Sequence, residues 1–174
     1  MINNKKNDTI RCCHFFERTD LMLIRKASIK DVNAIHGLIV TNLTQVNVQD
    51  YPDDVIEFMI QYYNTTQIEK WILEKRIFLV AFSDDILVGT VMLDNREVKG
   101  LYVNPSFHGN GVGKKIMTNL EQQVIGETLE LYASITAYSF YKKIGYTTIE
   151  EVVDPQMGRA YLMRKDIKHG GTNE

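Results

Sequence analysis

The sequence predicts an α/β (α+β) protein, with a mixed central sheet of about six to seven strands and about four helices. Three observations lead there. Residues 76–103 hold three short runs rich in apolar and β-branched side chains, parted by the polar turns Ser83-Asp84-Asp85 and Asp94-Asn95-Arg96, the pattern of an antiparallel meander. The third run, 97–103, leads through a helical pattern to the alternating stretch 129–134, so these two strands join by a crossover and lie parallel. Residues 28–72, in contrast, repeat their apolar side chains at helical spacing.

Taken in order, residues 1–20 are polar and unpatterned, and read as a flexible N-terminal extension in which Cys12-Cys13-His14 lacks metal-ligand spacing. Met22 is a candidate natural start. Residues 21–25 form a first strand, and 21–167 a single domain. Ser28, with Asp31 as capping-box partner, opens a helix whose apolar stripe is Ile29, Val32, Ile35, Leu38 and Ile39. His36, near that stripe, reads as a surface or satisfied histidine. Residues 42–51 read as a loop. Pro52 suits the first turn of a second helix, with Asp53 and Asp54 at its positive end and Val55, Phe58, Met59 and Tyr62 as its face. Asn64-Thr65 interrupts it, and Thr66 with Glu69 caps a third helix carrying Ile68, Trp71 and Ile72. The aromatics between Tyr51 and Trp71 suit either a substrate pocket or packing of helices on a sheet. After the meander, a helix carries Val112, Ile116, Leu120 and Val124 on one side, with Gly126 as its stop. A short helix over 136–144 ends at Gly145, and strands over 146–153 and 159–165 pair antiparallel across the loop 154–158. Residues 168–174 form a flexible tail.

Composition bounds the function. At 174 residues the chain can bury a core without staples. A net charge of -2 gives no global attraction to nucleic acid or to an anionic membrane. The 2 cysteines are adjacent, which excludes a disulfide framework and a spaced zinc set and suits a reducing cytoplasm. No apolar run approaches a membrane span, and Lys5 and Lys6 lack the apolar segment of a signal peptide. The expectation is a cytoplasmic protein with no metal, nucleic-acid or membrane partner.

The stretch from Glu97 to Glu121 carries the chemistry. A strand runs into Asn104-Pro105, then into a loop with Gly109, Gly111 and Gly113, then directly into a helix. Glycines let backbone N–H groups approach a phosphate, and a helix N-terminus favours its charge. A Walker A loop is excluded, because with Gly113-Lys114 as its Gly-Lys pair the first position is His108 and the last is Lys115. A dinucleotide loop fits poorly, because the spacing is G-x-G-x-G and it follows an antiparallel meander.

His108-Gly109-Asn110-Gly111-Val112-Gly113 resembles motif A of the GNAT superfamily of N-acetyltransferases, with His108 where Arg or Gln is usual. A second stretch resembles motif B: Ser134 replaces its asparagine, and Ala137, Phe140-Tyr141 and Gly145-Tyr146 match. The resemblance spans residues 22–166 and implies a GNAT fold with splayed central parallel strands. It implies an acetyl-CoA-dependent N-acetyltransferase in which a primary amine, on a small molecule or a peptide, attacks the thioester directly. The alternative on the same fold is a catalytically weak CoA-binding regulatory or interaction protein. By the same resemblance, Leu101, Tyr102 and Val103 face the pantetheine arm, and a backbone N–H there polarises the thioester carbonyl. His108, Gly109, Asn110, Gly111, Val112, Gly113 and Lys114 hold the pyrophosphate, and Ser134 sits beside the pantetheine. Tyr141 protonates or hydrogen-bonds the departing CoA thiolate, and Glu97 is the candidate base. A homodimer is a frequent outcome in the family.

Overall fold

The computed structural model describes residues 22–154 and 158–168. The expected N-terminal extension with Cys12-Cys13-His14, most of the 154–158 loop and the tail from His169 lie outside the described residues. The strands are β1 (Met22–Lys26), β2 (Ile77–Ser83), β3 (Ile86–Asp94), β4 (Glu97–Val103), β5 (Thr128–Ala133), β6 (Thr147–Asp154) and β7 (Gly158–Asp166). The helices are α1 (Val32–Gln45), α2 (Asp53–Tyr62), α3 (Thr65–Leu73), α4 (Val112–Gln122) and α5 (Ile135–Lys143). All 7 strands join one sheet in the order β1-β2-β3-β4-β5-β7-β6. Every described pairing is antiparallel except β4 with β5.

The meander forms where its turn residues demand it. Asp84, Asp85 and Asn95 take positive φ, which short Asp and Asn side chains tolerate best after glycine. Strand alternation then sends side chains to two faces. Phe78, Val80 and Met92 pack with α1, α2 and α3, whereas Leu79, Ala81, Val91 and Leu93 pack with α4 and the α5 side. Burial on both faces explains why β2 and β3 are almost continuously apolar. At Gly89 an added Cβ would lie 2.4 Å from Ile116 Cδ1, so this glycine lets α4 approach β3.

Several boundaries differ from the sequence expectation. α1 runs on through residues expected as loop, to Gln45, and a 3-10 turn follows at Asn47–Gln49. The polar residues there satisfy themselves within the helix: Asn42 Nδ2 donates to the Leu38 carbonyl, and the Thr41 and Thr44 hydroxyls donate to the Gly37 and Val40 carbonyls. Ile29 is exposed because it sits in a 3-10 turn, where the 3.6-residue stripe does not hold. Pro52 is the N-cap of α2 rather than part of its first turn. Asn64, not Thr66, caps α3, its Oδ1 accepting the Gln67 N–H at 2.9 Å. Val124 lies beyond α4 but still packs on the core.

The start of α1 is fastened by one buried carboxylate. Asp31 accepts from Ser28 N–H and Oγ at 2.7 and 2.9 Å, and from both terminal Arg25 nitrogens at 2.7 and 2.8 Å. The Arg25 hydrogen bonds, helped by Ser28 and opposed by burial, hold the Asp31 carboxyl down at about 2. Among the described residues, no helix is long and apolar enough to cross a membrane.

Candidate active site

The site begins with a break in β4. Lys99 faces Met92 and Tyr102 faces Thr90, so Gly100 and Leu101 together oppose Val91. This is a β-bulge, and Gly100 takes its left-handed position at φ 63. The lone glycine inside an apolar strand was its sequence signal. On its other side β4 pairs with β5 at Glu97–Glu130, while β5 pairs with β7 along its whole length. Beyond Glu97 the two parallel strands part. The gap opens into a cleft of about 510 Å³.

Two helix N-termini stand beside the C-terminal ends of these strands. At α4 the cap is Gly111, φ 74, which has no side chain to offer. The helical bond that closes the first turn runs from Lys115 N–H to the Gly111 carbonyl at 3.0 Å, so the amides of Val112, Gly113 and Lys114 precede it. Apart from the adjoining residues, no described heavy atom lies within 4 Å of where a Cβ would stand on Gly109 or Gly111. The Val112 side chain is buried and anchors the turn, and Gly113 lets α4 approach Phe140 of α5. The His108 ring hydrogen-bonds through Nε2 to the Val103 carbonyl at 2.9 Å, tying the loop to β4.

At α5 the cap positions are filled. Buried Ser134 accepts the Ala137 N–H at 3.3 Å. Asp50, from the segment before α2, accepts the Thr136 N–H at 3.2 and 3.3 Å and its hydroxyl at 2.7 Å. The same segment lays Tyr51 on Gly158 of β7, where a Cβ would meet the ring at 3.3 Å. Residues 47–51 thus form a strap fastened to α5 and β7.

Inside the cleft the phenols dominate. Tyr141 is buried, and burial first, then Tyr63 and Tyr51, push its hydroxyl well above the usual phenol range. Tyr63 and Tyr102 are raised chiefly by burial. Tyr51 is pushed up to about 12 by burial and by the Asp50 charge. All four stay neutral through the physiological range. Glu97 lies where β4 and β5 still pair, 3.4 Å from Lys99, which also stands 3.9 Å from Asp94.

Of the residues singled out in the sequence, Glu97, Leu101, Tyr102, Ser134 and Tyr141 line this one cleft. Val103, His108, Gly109, Asn110, Gly111, Val112, Gly113 and Lys114 are not part of its lining and follow one another from the end of β4 into α4. Both readings of the 51–71 aromatics hold, for different residues. Trp71 is core, whereas Tyr51, Phe58, Tyr62 and Tyr63 line the cleft. Phe58 and Tyr62 are therefore not the inward face of α2, which is Val55, Ile56 and Met59. His36 is satisfied by the Tyr63 carbonyl at 3.0 Å. The sequence carried no signal for the Asp50–Thr136 contact.

Residues 47–167 match the family model of the GNAT acetyltransferase domain. The chain belongs to the GNAT acetyltransferase family. Solved structures agree on the GNAT fold. PaiA N-acetyltransferase from Thermoplasma acidophilum, in complex with coenzyme A, superposes at TM-score 0.70 with 21% identity, covering 83% of this chain and 98% of that one. An aminoglycoside 6'-N-acetyltransferase complexed with coenzyme A does so at 0.62 and 19%, covering 86% and 99%. YncA from Salmonella typhimurium, with its cofactor acetyl-CoA, gives 0.61 and 16%, covering 88% and 98%. No curated protein matches this GNAT chain significantly by sequence.

Proposed function

We propose that this GNAT protein is an acetyl-CoA-dependent N-acetyltransferase that passes an acetyl group to a primary amine by direct attack on the thioester. The observation that carries the reading is the uncapped α4 N-terminus beside a β4–β5 splay. An anion site and an extended slot adjoin, which suits a pyrophosphate followed by a pantetheine arm.

The amides from Gly109 to Lys114 hold the pyrophosphate, and the Lys114 side chain adds charge. His108 orders the loop through its bond to Val103. Leu101, Tyr102 and Val103 bind the pantetheine through backbone groups, with Ser134 across the slot. Bound acetyl-CoA supplies the acetyl group as a thioester. The bulge leaves its extra residue out of the ladder, so a Gly100–Leu101 amide is free to polarise the thioester carbonyl.

An alkylammonium must lose a proton before it can attack, which costs roughly 4–5 kcal/mol at pH 7 for an amine of pKa ~10.4. Glu97 receives that proton. It lies four residues before Leu101 on the strand, up to ~13 Å at ~3.3 Å per residue, so the proton travels through water. Tyr141 remains protonated and donates a hydrogen bond to the departing sulfur. Full transfer from so weak an acid to a thiolate of pKa ~8.5 would be uphill by more than ~2 kcal/mol, so Tyr141 stabilises the thiolate, and the proton that the nitrogen sheds as the amide forms reaches the sulfur through water.

Acetyl-CoA consumption across an amine panel tests the reading. Tyr141→Phe is expected to lower kcat by roughly 10²-fold at every pH below ~10, with little change in acetyl-CoA affinity. An unchanged kcat would remove Tyr141 from the mechanism. Acetyl-CoA binding without transfer to any amine would identify a CoA-binding regulatory protein on the same fold instead.

A further inference from the structure

The acceptor end of the cleft carries a chemical preference. α2 turns Val55, Ile56 and Met59 inward, yet Phe58 and Tyr62, four residues apart, remain 48% and 41% exposed. Their rings stack, with centroids 6.4 Å apart and planes at 22°. Tyr62 also meets Tyr63 edge-on at 5.1 Å, and Tyr63 meets Tyr102 edge-on at 5.7 Å. Tyr51 completes the wall from the strap. An exposed aromatic cluster lining a concavity is a surface waiting for an apolar occupant.

Charge narrows the occupant. Among the described residues lining the cleft, Glu97 is the one carboxylate and Lys99 the one cation, and they pair at 3.4 Å. A polyamine or an aminoglycoside would bring several ammonium groups to a wall where the further carboxylate beside Tyr51, Asp50, is already bound to Thr136. Each further group drawn into the cleft would be desolvated without a lining carboxylate to meet it. A single ammonium has a place, because aromatic faces attract one cation and partial desolvation eases its deprotonation.

Enclosure narrows it further. The strap is fastened by three hydrogen bonds from Thr136 to Asp50 and by Tyr51 on Gly158, so Asn47 and Tyr51 wall one side of the cleft. The remaining volume, about 510 Å³, must also admit the end of the pantetheine.

We propose that the acceptor is a small monoamine with a flat or apolar body, seated between Tyr51, Phe58, Tyr62, Tyr63 and Tyr102 with its nitrogen toward the Gly100 bulge. This rests on the N-acetyltransferase reading.

The test uses the full chain with saturating acetyl-CoA and compares 2-phenylethylamine, tyramine, spermidine, kanamycin and a lysine-containing peptide. The aromatic monoamines are expected to exceed the others in kcat/KM by about tenfold or more, equivalent to ~1.4 kcal/mol. Phe58→Ala, at an exposed position, should raise KM for 2-phenylethylamine about tenfold with the acetyl-CoA Kd unaltered, and Phe58→Leu should recover part of it. Preferred turnover of spermidine, kanamycin or the peptide, or an unchanged KM in Phe58→Ala, overturns the proposal while the acetyltransferase reading stands. Acetyl-CoA binding with no amine acetylated overturns it too. Loss of acetyl-CoA binding by calorimetry in the unmodified protein is a different result: it overturns the underlying reading, and this inference with it.

Discussion

The N-termini of α4 and α5 stand beside the same cleft and are built in opposite ways. At α5, Ser134 and Asp50 supply oxygens to the first-turn amides, and the helix dipole is answered from within the chain. At α4, Gly111 supplies none, Gly109 has open space around it, and the first turn contains lysines and no acid. An internal carboxylate at a helix start gives stability. A start left open gives up that stability and leaves room for an anion from outside. The two ends therefore differ in whether the chain answers the helix dipole itself.

Making α4 resemble α5 should have the largest effect. Gly111→Glu places a carboxylate and a Cβ at φ 74, with strain of about 1–2 kcal/mol. It is expected to abolish CoA binding by calorimetry while the protein still folds. Retained affinity would refute the loop as the pyrophosphate site.

Removing an internal carboxylate should do the reverse and cost stability alone. Asp31→Asn is expected to lose about 2 kcal/mol at neutral pH, a figure trimmed because Arg25 is partly exposed. The folded carboxyl sits at about 2 against 3.8 unperturbed, so its contribution is complete above pH 3.8 and fades as pH falls toward 2. Urea unfolding of wild type and variant should converge across that window, with acetyl-CoA Kd unchanged throughout. A constant gap down to pH 2 would show that the charge is not what stabilises.

The far end of the cleft sharpens the contrast. Glu97→Gln is expected to depress kcat/KM about tenfold, most strongly at low pH, where more of the amine is protonated. An unaltered pH–rate profile would exclude Glu97 as the base. The smallest effect belongs to the strap. Asp50→Ala should lose about 1 kcal/mol of stability and raise the amine KM modestly, with acetyl-CoA affinity intact. A melting temperature equal to wild type would show that the contact adds nothing at α5.

Much of this site was legible beforehand because its parts are local. The glycine loop, the meander turns and the strand-to-helix transition depend on residues adjacent in the chain, where φ preferences and spacing act directly. The misjudged boundaries were local too, but there two neighbouring signals competed. Asn64 and Thr66 both can cap, and only the Asn64–Gln67 bond decides. The polar residues after Thr41 read as loop until their side chains are seen to bond back into α1.

The sequence alone was enough for the strand and helix order, the helix stops at Gly126 and Gly145, and a glycine loop running straight into α4, since these follow from backbone sterics and nearest neighbours. The tertiary structure had to decide that β7 inserts between β5 and β6, and that Trp71 is core while Phe58 and Tyr62 face the cleft. It alone decided that Asp50 closes α5 from 86 residues away. Such choices depend on which surfaces meet after the chain collapses, and side-chain spacing along the chain carries no record of them.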